Sequence, residues 1–162
     1  MARARQNLTT DPTEGVPAQK RGFHHGDLRR AALREALLLI SEQGAARLSL
    51  REVARRCGVD HSALYGHFAS KDALLDAIIA HGFAELACMI EAHAARDMPG
   101  AVYHAYLDFA LTEPALYDLI FSVEASRRLA LPAVRTPLQR VIDESAKAEG
   151  ARTGEPVSDA VR

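Results

Sequence analysis

Two helical patterns too short to persist alone stand back to back in SLREVARRCGVDHSALYGHF, Ser49 to Phe68. Isolated helices below about 12–15 residues are marginal in water. A chain that carries two in succession must brace each against other elements, and this narrows the fold more than any other feature. Ser49 and Glu52 read as an S-x-x-E capping box, in which each side chain satisfies the other residue's backbone N–H. Leu50, Val53 and Ala54 share the apolar face of the first short helix. Gly58 is expected to stop it and Val59 to fill the turn. Asp60 can cap the next helix, from His61 to about His67. Gly66 then falls in a helix interior, where glycine costs about 1 kcal/mol relative to alanine.

The flanking sequence is helical throughout. Leu28, Ala31, Ala32, Ala36, Leu38 and Leu39 recur at three- and four-residue steps after Asp27, a candidate cap, and Gly44 is placed to end that helix in a left-handed conformation. Ser70 caps a fourth helix from Lys71 to about Ala95, with Leu74, Leu75, Ile78, Ile79, Leu86 and Ile90 apolar, long enough to link two parts of the molecule. The MPG at 98–100 breaks it. A fifth helix is expected over Ala101–Leu111. A sixth starts at Thr112 and Pro114 and ends near Ser126. A seventh opens with a T-x-x-Q box at Thr136 and Gln139 and stops at Gly150. No strand pattern and no internal repeat occurs, so the fold class is all-α. Residues 1–22 are polar, lack periodicity and carry Arg3, Arg5, Lys20 and Arg21; they read as a disordered basic arm, as the polar last twelve residues read as frayed.

Two short helices about a tight turn, with an apolar helix before them, form a helix-turn-helix, in which the first helix braces a second that enters the DNA major groove. HHGDLRRAALREALLLISEQGAARLSLREVARRCGVDHSALYGHFASKDALL resembles the DNA-binding domain of the TetR family of bacterial transcriptional repressors, over about His24 to His81. The capping Ser, A-x-x-x-G-V, L-Y-x-H-F and K-x-x-L-L follow in the family's order. The resemblance implies that Tyr65 and His67 meet the sugar-phosphate backbone and that Lys71 meets a phosphate beside a helix N-terminus. It places Arg51, His61, Ser62 and Ala63 at base-reading positions. An arginine there can donate two hydrogen bonds to guanine. Gly66 departs from the family pattern, which usually has a sizeable side chain there.

AYLDFALTEPALYDLIFS resembles one C-terminal subclass of the family, in which such residues line a ligand cavity. The resemblance implies that Tyr103, Tyr106, Phe109, Leu116, Tyr117, Ile120 and Phe121 contact a small apolar effector; read from the residues alone, they are core positions. The subclass usually continues into two more helices, the first with a Trp-His-Gly signature, that build the homodimer. This chain has no Trp. The expected organisation is therefore an arm at 1–22, a helix-turn-helix domain at 23–81, and an incomplete helical regulatory domain at 82–162. The expected function is sequence-specific binding of a double-stranded operator, with repression relieved by an effector. The alternative is a truncated regulator, acting as an interaction partner or an inactive fragment, without operator binding of its own.

Charge and composition agree with this reading. Residues 20–81 carry ten Lys and Arg against seven Asp and Glu, whereas residues 82–162 carry eight against twelve, so the basic half is the one that would meet a polyanion. Two cysteines, Cys57 and Cys88, are too few for a disulfide framework or a zinc cluster. His24, His25 and Asp27 have no ligand partner at metal-site spacing, and no Ser/His/Asp set or glycine-rich phosphate loop suggests an enzyme or a cofactor. With no apolar run near 18 residues and no signal-peptide pattern, no membrane partner and a cytoplasmic location are expected.

Overall fold

The computed structural model describes residues 25–97 and 99–153. The expected basic arm, His24, Met98 and the residues after 153 lie outside the described residues. Among the described residues, eight α-helices follow in order: α1 (His25–Gln43), α2 (Leu50–Cys57), α3 (His61–Tyr65), α4 (Lys71–Ala94), α5 (Ala101–Thr112), α6 (Pro114–Ile120), α7 (Val123–Ser126) and α8 (Pro132–Thr153). A single 3₁₀ turn, Ala45–Arg47, joins α1 to α2, and no strand occurs among the described residues.

The first three helices form one small core. Leu28, Ala32 and Ala36 of α1 and Val53 and Ala54 of α2 bury beside Leu64 and Phe68, and Leu64 is fully buried. Burying a side chain of that size is worth roughly 1.5–3 kcal/mol, which is how five residues of α3 hold a helical shape at all. Their ends are fixed locally. The Ser49 hydroxyl accepts from the Glu52 amide at 3.2 Å, and the Asp60 carboxylate accepts from the Ser62 amide at 2.9 Å. Gly58 ends α2 at φ 69°, ψ 28°, a left-handed conformation that a side chain rarely adopts.

Several expected boundaries differ. Residues 25–43 are helical, so Asp27 lies within α1 rather than capping it. Gly44 has the expected positive φ, 81°, but ψ 157° is extended, because the chain turns at once into the 3₁₀ segment. The reciprocal half of the capping box is replaced: the Glu52 carboxylate turns to Arg55 at 2.6 and 2.9 Å. Gly66 is not a helix-interior residue. It is the C-cap of α3, followed by a turn in which the His67 and Phe68 amides both bond to the Leu64 carbonyl.

α4 is the axis on which the rest is built. Its window of mean hydropathy 1.7 makes it long and apolar enough to cross a membrane, contrary to the expectation from run length. Leu74, Leu75, Ile78, Ile79, Phe83, Leu86, Ala87 and Ile90 are buried against the neighbouring helices, so its apolarity is that of a core helix. α8 packs along α4, and α5 and α6 fold back on it. The register is readable from contacts: Arg128 pairs with Asp72, and Arg140 pairs with Glu91 at 2.8 Å, so α8 runs in the same direction as α4. His93 of α4 is buried and its Nε2 lies 2.9 Å from the Asp108 carboxylate on α5.

The back half departs from expectation in two places. The single sixth helix is two, because Ser122 re-caps the chain by accepting from the Ala125 amide. The last helix starts four residues before Thr136, at Pro132, and passes through Gly150. Thr136 is thus internal: its hydroxyl donates to the Pro132 carbonyl at 3.2 Å, and Gln139 bonds to Asp143 instead of completing a cap.

Candidate nucleic-acid interface

The residues expected to read DNA fall on two neighbouring elements. Arg51 on α2 and His61 on α3 line one open groove of about 420 Å³, together with Ser49, Glu52, Arg55 and Asp60. The Gly58 turn makes this possible by bringing the start of α3 beside the exposed side of α2. Ser62 and Ala63 are exposed on the first turn of α3. The exposed Tyr65 ring stands edge-on to His61, with ring centres 6.1 Å apart. His67 is half-buried next to Phe68. Arg29 of α1 lies over the other side of this corner, its guanidinium 5.5 Å from the centre of the Phe68 ring.

Lys71 has a partner inside the protein. Its ammonium donates to the Ala46 carbonyl at 2.7 Å, across from the first turn of α4 to the 3₁₀ segment. The side chain therefore ties the first turn of α4 to the 3₁₀ segment, in addition to offering charge at a helix N-terminus.

Sequence reasoning missed Arg55. It is exposed, one turn beyond Arg51, and faces the same groove. The signal was available in the i, i+4 spacing of Arg51 and Arg55. Its fork grips Glu52, whose carboxyl is held below the usual range chiefly by that hydrogen bond. Arg56, on the far side of α2, ties back to Glu42 at the end of α1 and lowers its carboxyl in the same way. Arg51 lines the groove.

The residues expected to contact an effector divide. Phe109, Leu116 and Ile120 are buried, Phe109 completely. Leu116 and Ile120 seat against Gly82 of α4, where a Cβ would come within 2.5 Å of the Ile120 Cγ2 methyl. Tyr106, Tyr117 and Phe121 gather into a part-exposed aromatic cluster, with Tyr117 and Phe121 ring centres 4.7 Å apart. Burial and the neighbouring Tyr117 phenol push the Tyr106 hydroxyl above the usual tyrosine range. Tyr103 stands apart from this cluster, 65% exposed and edge-on to His104.

A profile of bacterial regulatory proteins of the tetR family matches residues 32–78, the span of the helix-turn-helix and the start of α4. The helix-turn-helix domain is that of the TetR family. It is 48% identical over 50 residues to the tetracycline repressor protein class C of Escherichia coli, covering 31% of this chain and 23% of that protein. It is 32% identical over 91 residues to the HTH-type transcriptional repressor Rv3405c of Mycobacterium tuberculosis, covering 56% of this chain and 47% of that one. Among solved structures, a protein of unknown function from Rhodococcus sp. RHA1 superposes with a TM-score of 0.65 at 30% identity, over 88% of this chain and 77% of that one. The ketosteroid transcriptional regulator KstR2 of Mycobacterium tuberculosis shares the fold, with a TM-score of 0.59 at 20% identity over 78% of this chain and 69% of that one. The chain spans about half or less of the length of the curated relatives it matches. Those relatives are transcriptional regulators rather than enzymes.

Proposed function

We propose that this chain binds double-stranded DNA with sequence preference and regulates transcription, most simply as a repressor in the cytoplasm. The observation that carries the reading is the exposed groove where Arg51 and His61 meet across the Gly58 turn, beside Ser62 and Ala63. Arg51 there is free to reach a guanine edge, while Tyr65, His67 and Lys71 supply backbone contacts that position the head without specifying sequence. The repressor names of two relatives support the direction of regulation. A small apolar effector bound at Tyr106, Tyr117 and Phe121, over Phe109, Leu116 and Ile120, would relieve repression by favouring a conformation whose reading heads no longer match the operator. Two-fold operators require two heads held about one helical turn apart, so operator binding of this kind implies a homodimer.

The test is selection of bound duplexes from a random-sequence pool with the full chain, followed by the same selection with Arg51→Ala. The wild-type chain is expected to enrich one motif, and the variant to relax it at one base pair, with a loss of about 1–3 kcal/mol there. An enriched motif indifferent to Arg51 would remove this residue from the reading. Failure of the wild type to enrich any motif would overturn it.

A second reading, an interaction partner without operator binding of its own, is favoured by one observation. Tyr103, Leu107 and Leu111 recur every four residues on α5 and are all exposed. Light scattering at micromolar concentration separates the two readings: a dimer that selects DNA supports the first, and a chain that joins a second TetR-type protein yet selects no DNA supports the other.

A further inference from the structure

Arg128 lies in the turn between α7 and α8, and its guanidinium is surrounded by carboxylates from two directions. Nη1 donates to Asp76 at 3.0 Å, and Nη2 donates to Asp72 at 2.9 Å and to Glu124 at 2.7 Å. Nε donates to Glu124 as well, at 3.1 Å. The arginine side chain is 14% exposed, whereas that of Asp72 is 73% exposed. Asp72 occupies the first turn of α4 and follows Lys71, the residue that holds the 3₁₀ segment of the head. One guanidinium from the back half thus grips the end of α4 that meets the DNA-binding head.

The placement has an electrostatic consequence. A helix N-terminus attracts a phosphate, and a carboxylate in its first turn repels one. Asp72 is such a carboxylate, with Asp76 one turn behind it. Arg128 is the cation that the structure sets between both of them and Glu124. Removing its charge leaves three carboxylates mutually uncompensated beside the helix end that carries Lys71.

We infer that Arg128 is a positioning residue for duplex binding: it neutralises Asp72 and Asp76 at the start of α4, so that this end can accept a DNA phosphate. This rests on the DNA-binding reading above and adds a route for its regulation. Any ligand that draws the α7–α8 turn away from α4 withdraws the guanidinium and leaves the Asp72 charge uncompensated toward the phosphate backbone. The back half then lowers DNA affinity through charge as well as through geometry.

The experiment uses the full chain and the duplex that the wild type selects, with affinity read by fluorescence anisotropy and folding by circular dichroism. Arg128→Gln is expected to weaken binding by about tenfold, equivalent to 1.4 kcal/mol. Asp72→Asn in that background is expected to recover most of the loss, as coupled neighbours do in a double-mutant cycle. Arg128→Lys, which keeps the charge, should lose less than Arg128→Gln. Asp72→Asn alone, at an exposed site that leaves folding intact, should bind the duplex as tightly as the wild type or more tightly. Equal affinity of Arg128→Gln and wild type would overturn the inference and leave the DNA-binding reading standing. So would a loss that Asp72→Asn fails to recover, or a weakening by Asp72→Asn alone. A wild-type chain that selects no duplex would overturn both, and is recognised before any variant is made.

Discussion

Gly66 has φ −67° and ψ −18°, a right-handed helical conformation open to any residue. A Cβ there would meet only the Ala63 carbonyl, at an ordinary 3.5 Å. The cost expected from sequence, that of a glycine inside a helix, therefore changes character: the residue ends a helix whose last turn is already closed by Leu64. Replacing it by alanine removes backbone freedom from the unfolded chain without strain in the folded one. Gly66→Ala is expected to stabilise the chain by about 0.4–1 kcal/mol, read as a rise in the urea midpoint at unchanged slope. A fall would mean that this turn needs a glycine. Gly58, at the end of α2, is the opposite case, since its positive φ makes any side chain strained there. Lys71 shows a third kind of residue-scale outcome. The resemblance implied a phosphate contact, and the structure adds a bond to Ala46 that only the fold could bring within reach.

At the scale of the elements, the contact of α6 with α4 turns on a glycine that the sequence analysis gave no role. Gly82 is buried in the middle of α4, and Leu116 and Ile120 of α6 occupy the space its missing side chain leaves. Alanine would gain about 1 kcal/mol of helix propensity and meet a β-branched methyl that cannot swing away. Overpacking costs about 1–3 kcal/mol, so Gly82→Ala is expected to lower the midpoint of thermal unfolding, the reverse of Gly66→Ala. A variant as stable as the wild type would show that α6 can slide on α4. The last helix is a related lesson in boundaries. T-x-x-Q and Pro137 look like a helix start because both are common there, yet Pro137 lies inside α8. The real start is Pro132, four residues earlier. Thr136 then uses its hydroxyl on the carbonyl one turn back, a local bond that competes with capping and that spacing alone does not distinguish from it.

Across the whole molecule, one apolar cluster runs from Leu28 of α1 through the length of α4 to Val141 of α8. The domain boundary expected between residues 81 and 82 falls inside α4, where Ile79, Phe83 and Leu86 are buried in succession. A core shared in this way predicts one cooperative thermal transition for the full chain, coincident by far-ultraviolet circular dichroism and by calorimetry. Two separated transitions would divide the head from the back half after all. The same continuity is what gives the Arg128 cluster its leverage, because α4 joins the carboxylates it grips to the head without a flexible linker between them.

The sequence by itself determined what depends on neighbours along the chain. The capping residues Ser49, Asp60 and Ser70, the Gly58 turn and the helix-turn-helix pattern are legible because a cap or a turn is closed by atoms within four residues. The family followed from the order of those same signals. Tertiary structure decided what depends on residues far apart. It set Arg51 and His61 around one groove, sent Lys71 to Ala46, seated α6 on Gly82 and split the expected effector residues into core and surface. It also brought Arg128 to Asp72 and Asp76, more than fifty residues away. Periodicity records which face of a helix is apolar, but the partner that covers that face, and the charges that meet across it, are fixed only when the helices pack.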